Sequence, residues 1–109
     1  MNFRKVTAIF RPDRLEAVED RLRDLDVPGV SVTKVKGFGE YANFYQPDWL
    51  STHVRIEVFI SKRKADEIAE AIMEAAHTGI DGDGIVAVMP VESVYHIRTK
   101  EKCEHDVCE

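Results

Sequence analysis

Two glycine-bearing turns carry the first chemical signal in the chain, Gly37-Phe38-Gly39 and Gly82-Asp83-Gly84. Glycine has no Cβ, so at such points the backbone can bend sharply or come close to another group. On spacing alone they are equally well ordinary turns. His53 and His96 read either as satisfied polar residues on strands or as ligands, and taken singly the first reading is the better one. Cys103, His105 and Cys108 combine thiol and imidazole, donors that suit zinc, but the order Cys-x-His-x2-Cys completes no standard structural site. The same two cysteines are a candidate redox pair, or simply part of a flexible tail. No Ser/His/Asp or Cys/His set is spaced for nucleophilic work, and no carboxylate pair marks a catalytic metal. Those patterns point away from an enzyme.

The elements that must position these residues follow from periodicity. Residues 3–10 are rich in β-branched and aromatic types and read as a strand, followed by a helix whose first turn contains Pro12. Leu15, Val18, Leu22 and Leu25 recur at three- and four-residue steps and give that helix one apolar face, ending near Asp26. A second strand is predicted from Val30 to Phe38. The stretch from Glu40 to Ser51 has no period and reads as an exposed loop, long enough to suspect a function. Val54, Ile56, Val58 and Ile60 then alternate with His53, Arg55, Glu57 and Phe59, the pattern of a half-buried strand. Ser61 is the expected N-cap of a helix whose inward stripe is Ala65, Ile68, Ala69, Ile72, Met73 and Ala76. The glycine-rich turn leads into a strand over 85–89, and beyond Pro90 a short last strand is expected around Val94 to Arg98. The order β-α-β-loop-β-α-β, two βαβ-like halves on one antiparallel sheet, is the ferredoxin-like α+β arrangement.

Composition sets outer bounds. With 109 residues and 44% hydrophobic content the chain makes one domain, and a domain this small gains burial by oligomerising. The net charge of −5, with acids spread throughout, argues against a nucleic-acid surface. No stretch is apolar and long enough for a signal peptide or a membrane span, so a cytoplasmic protein without direct membrane insertion is expected.

Three segments, VKGFG at 35–39, the run from Thr78 to Gly84 and HIRT at 96–99, together resemble the nucleotide-contacting segments of the PII signal-transduction family. The likeness holds in order and spacing over nearly the whole chain. It implies a homotrimer of ferredoxin-like subunits, residues 1–99 forming the domain and 100–109 a tail, with an adenine nucleotide (AMP, ADP or ATP) between neighbouring subunits. Carried over by position, Ile9, Ser31, Val32 and Phe59 would lie near the adenine. Gly37, Gly39, Gly82, Asp83, Gly84 and Arg98 would lie around the phosphates, and Lys36, Phe38 and His96 would complete the nucleotide-binding set. The chemistry fits: glycines let backbone N–H groups reach phosphate oxygens, and arginine offers a planar fork of donors.

Departures from the family pattern refine the expectation. Where the nitrogen-sensing members carry lysines after the helix-ending Thr-Gly and after Gly-Asp-Gly, this chain has Ile80 and Ile85, and Glu40 replaces a usual arginine. With fewer cations, AMP, ADP or a cyclic nucleotide becomes at least as good a ligand as ATP. The loop, taken as 39–53, lacks the family's uridylylated tyrosine segment and has His53 where a lysine helps hold 2-oxoglutarate, which speaks against both functions here. Glu40, Tyr41, Phe44, Tyr45 and Trp49 make it a candidate partner-binding segment for a transporter or metabolic enzyme, rich in the aromatic types that anchor interfaces. Cys103 and Cys108 are similar in spacing to the redox loop of PII-like proteins associated with bicarbonate transport and carboxysomes. Nitrogen and inorganic-carbon metabolism both stay open. Two other readings remain: a metal-handling trimer using His53, His96, Cys103, His105 and Cys108, although a metal is not the expected ligand, and a slow ATPase with Asp83 or His96 as base.

Overall fold

The computed structural model describes residues 2–37 and 51–104. Strand β1 spans Phe3–Phe10 and is followed by a single 3-10 turn, Pro12–Arg14, before helix α1, Leu15–Asp24. Proline suits this entry because its fixed φ costs nothing where no intrahelical donor is needed. The predicted helix start is thus displaced: Pro12 sits in the 3-10 turn and the α-helix proper begins at Leu15. Strand β2 covers Ser31–Gly37, β3 Ser51–Ser61, helix α2 Lys62–Ala76 and strand β4 Gly84–Val91.

The four strands form one antiparallel sheet in the order β2-β3-β1-β4, the ferredoxin-like topology expected from the sequence. Even-numbered residues of β1 and β3, among them Val6, Ala8, Phe10, Ile56 and Val58, point into a core closed by Val18 and Leu22 of α1 and Ile68 and Ile72 of α2. The odd-numbered residues in the middle of these strands make the opposite, open face. There Lys5 on β1 pairs with Glu57 on β3 at 2.9 Å, with Arg55 3.8 Å from the same carboxylate. The hydrogen bond from Lys5, reinforced by both cations, holds the Glu57 carboxyl below its usual range despite an opposing desolvation cost. Arg14 reaches across the helix layer and donates from Nε (3.0 Å) and Nη2 (2.7 Å) to the carbonyl of Ala75, capping the C-terminal end of α2.

Several boundaries expected from the sequence change. Ser51, Thr52 and His53 belong to β3 rather than to the loop, because β2 continues to pair with them as far as Gly37 opposite Ser51. The short last strand expected around Val94 to Arg98 does not form. Strand β4 instead runs through Pro90 to Val91, opposite Arg4 and Phe3, and as an edge strand it can carry a proline without losing a ladder bond on both sides. Beyond β4 the chain folds into a small hairpin: Cys103 N donates to Val94 O, His96 N to Glu101 O and Lys100 N to His96 O, with one bridge between Tyr95 and Lys102. The tail boundary placed at residue 100 therefore falls inside this hairpin. Ser61 is the N-cap of α2 by position, but its hydroxyl is buried and makes no capping bond. Among the described residues no helix is long and apolar enough to cross a membrane.

Candidate functional site

The residues from Thr78 to Gly84 link α2 to β4, and the turn is built around one carboxylate. Asp83 Oδ2 accepts from the backbone N–H groups of Thr78 and Gly79, each at 2.9 Å, and Oδ1 accepts from the Thr78 hydroxyl. Arg11, on the far side of the chain, donates from Nε to Oδ1 at 3.2 Å and from Nη2 to the carbonyl of Asp81 at 2.6 Å. The same Nη2 lies 3.5 Å from the carbonyl of Ile80, and Ile80 N donates to the Thr78 hydroxyl at 3.2 Å. Burial alone would raise the Asp83 pKa. The bonds from Thr78, Gly79 and Arg11 outweigh it and hold the carboxyl far below the ordinary range.

All three glycines of this turn have positive φ, Gly79 at +84° among them. Gly82 has φ +93° and Gly84 φ +118°, and a Cβ on Gly84 would meet the carbonyl oxygen of Ile9 on β1. Against the turn sits His53, only 3% exposed, whose Nε2 lies 3.2 Å from the carbonyl of Gly82. A carbonyl only accepts, so Nε2 carries the proton. Next to His53, across the β2–β3 ladder, stand Val35, Lys36 and Gly37. Ile9, Lys36, Gly37, Gly82, Asp83 and Gly84 are thereby gathered at one end of the sheet. A hollow of about 230 Å³, lined by Ile9, Ile72, Met73, His77, Asp83 and Ile85 among others, opens beside the turn.

The other residues of the expected site lie elsewhere. Ser31 pairs with Glu57 at mid-sheet, and Phe59, 51% exposed, is two residues further along β3. Both line a hollow of about 440 Å³ with Pro28, Gly29 and Val94. Val94 begins the hairpin that carries His96 and the exposed Arg98. Val32 faces the helix side of the sheet, opposite Ile56, away from Ser31 and Phe59. Ile9 is opposite Arg55 on β3, four residues from Phe59, or roughly 13 Å at the usual strand rise. Val32 apart, the expected contacts described within one chain therefore divide into two half-sites.

Phe38, Gly39, Glu40, Tyr41, Phe44, Tyr45, Trp49, His105 and Cys108 lie outside the described residues. Cys103 is disulfide-bonded. Among the described residues no three His, Cys, Asp or Glu side chains converge as a metal-ligand set. Sequence reading overlooked Arg11 and Thr78. Thr78 had a signal, a hydroxyl five residues before an aspartate in a glycine-rich turn, whereas Arg11 is 72 residues from its partner.

A four-stranded ferredoxin-like sheet with a braced, glycine-rich turn at one end and an arginine-bearing hairpin near the other defines a small α+β domain. The chain belongs to the nitrogen regulatory protein P-II family, whose model matches residues 3–101. It is 39% identical to the nitrogen regulatory protein P-II of Azospirillum brasilense over 107 residues, covering 91% of this chain and 95% of that protein. To the P-II protein of Pasteurella multocida it is 38% identical, covering 93% and 96%. Among solved structures, Arabidopsis thaliana PII bound to citrate superposes with a TM-score of 0.82 at 37% identity, covering 94% of this chain and 90% of that one. The chain is accordingly a signal-transduction regulator of the family named for nitrogen control.

Proposed function

We propose that the protein is a homotrimer that binds an adenine nucleotide between adjacent subunits and passes that state to a transporter or metabolic enzyme through the segment bearing Glu40, Tyr41, Phe44, Tyr45 and Trp49. One observation carries the reading: apart from Val32, the described residues expected around the nucleotide are split between two places on each chain. A cyclic assembly joins unlike patches of neighbouring copies, so the Gly82–Gly84 end of one subunit meets the Phe59 and Arg98 region of the next. The two halves have complementary chemistry. One offers glycine backbone and Lys36, the other an aromatic ring, a hydroxyl and a guanidinium.

Ile80 and Ile85 are both exposed beside the turn and supply no charge. A triphosphate therefore gains less here than it would from lysines, which favours AMP, ADP or a cyclic nucleotide at least equally. The switch needs a nucleotide that prefers one loop state over another, since equal affinity shifts nothing. Asp83 is a poor general base, because its oxygens are engaged by Thr78, Gly79 and Arg11 and its proton affinity is low. That weighs against a slow ATPase. The metal-handling alternative has no converged ligand set among the described residues to support it.

Sedimentation and titration calorimetry test the proposal together. A trimer that takes up AMP, ADP, ATP or cyclic AMP at up to three sites is expected; a monomer, or no heat from any nucleotide at millimolar concentration, rejects it. Metal analysis of untagged protein addresses the alternative.

A further inference from the structure

The turn from His77 to Ile85 contains two aspartates, Asp81 and Asp83, and no lysine or arginine. An ionised carboxylate at its centre would repel any phosphate approaching the same backbone. One guanidinium enters the turn from outside. Arg11, held just beyond the end of β1 and followed by Pro12, contacts Asp83 Oδ1, the carbonyl of Asp81 and the carbonyl of Ile80 with two of its nitrogens. Both partners are mostly covered, their side chains 21% and 25% exposed, so their charges act on each other with less screening than a surface pair.

We propose that Arg11 is the positioning residue of this turn: it keeps the Asp83 carboxylate turned inward and cancels its charge, so that an incoming phosphate meets backbone N–H groups instead of an anion. The assignment rests on the nucleotide reading above. It has an electrostatic signature that a purely structural brace lacks. Losing a cation near a bound anion weakens binding more as the ligand's negative charge grows, because Coulomb energy scales with charge. Losing a brace alone disturbs every ligand that uses the turn to a similar extent.

The experiment is calorimetric titration of the full chain with AMP, ADP and ATP, with thermal unfolding recorded alongside, for wild type, Arg11→Met, Arg11→Lys, Asp83→Asn and the Arg11→Met/Asp83→Asn double variant. Arg11→Met is expected to weaken ATP on the order of tenfold, ADP less and AMP least. The double variant is expected to regain ATP affinity relative to Arg11→Met, since the charge to be cancelled is gone. Equal losses for all three nucleotides, or a double variant weaker than Arg11→Met, would overturn the assignment. Should Arg11→Met be too unstable to titrate, Arg11→Lys decides: an ATP-to-AMP affinity ratio like that of wild type supports charge cancellation, and a collapsed ratio refutes it. Wild-type protein that binds none of the three removes the nucleotide reading and this assignment with it, whereas a charge-independent effect on a binding-competent protein removes only the assignment.

Discussion

A Cβ placed on Gly84 would lie 1.8 Å from the carbonyl oxygen of Ile9. The last residue of the glycine turn is therefore also the first rung of the β1–β4 ladder, where it faces Phe10. The candidate binding turn and the sheet share one backbone position. Any side chain there must push β4 off β1 while also adopting φ +118°.

Gly84→Ala is accordingly expected to destabilise the fold by more than about 2 kcal/mol, combining backbone strain with lost strand pairing. Gly29 gives the control, since a Cβ there meets nothing within 4 Å. Gly29→Ala is expected to fall within about 0.5 kcal/mol of wild type. Urea denaturation of both variants makes the comparison, and similar midpoints would contradict it.

Asp83 gives a pH-dependent prediction. Its folded pKa lies below its ordinary value, so its stabilising contribution is complete above the unfolded pKa and drains away as pH falls towards the folded one. Asn in its place loses the acceptor for either Thr78 and Gly79 or Thr78 and Arg11, at about 1–3 kcal/mol near neutrality. The stability gap between wild type and Asp83→Asn is expected to hold constant from pH 7 to 5 and to narrow steadily below about pH 4. A gap unchanged down to pH 2.5 would show that Asp83 is not the ionised hub of the turn.

His53 is expected to tie the start of β3 to the same turn. Leu at this position leaves the Gly82 carbonyl without its donor in a buried setting, costing about 1–3 kcal/mol. Gln can place an amide N–H near the same oxygen and should recover part of the loss. Equal stability of His53→Leu and His53→Gln in denaturant would mean the contact contributes packing and no hydrogen bond.

These relationships explain which features are legible in the chain alone. The alternation from Val54 to Ile60 is legible because β3 is a central strand with its even side chains in the core and its odd ones on the open face. The stripe Ala65, Ile68, Ala69, Ile72 is legible for the same reason, one face packed and one solvated. Met73, expected inside, stands instead at the margin of that stripe and is half exposed. The segment Val94 to Arg98 looks like a strand because its residue types favour extension. Strand identity is decided by a partner, and the edge beside β1 is already taken by β4 up to Val91. Local pattern also cannot reveal Arg11 at Asp83 or His53 at Gly82, because both contacts depend on how distant elements meet.

The division of the expected site between two regions of the chain makes a complementation experiment decisive. Lys36→Glu alters the half-site at the turn end, and Arg98→Glu alters the one carried by the C-terminal hairpin; both side chains are exposed, so the fold should tolerate each change. Each variant alone is expected to lose nucleotide binding at every interface. In a mixed trimer one interface pairs the intact turn end of an Arg98→Glu chain with the intact hairpin of a Lys36→Glu chain. Random reassembly of equal amounts makes three quarters of the trimers mixed, each with one good interface in three, so about a quarter of wild-type site density should return. Binding that stays absent after verified subunit exchange would mean that both half-sites serve the ligand within a single chain, or that neither serves it at all.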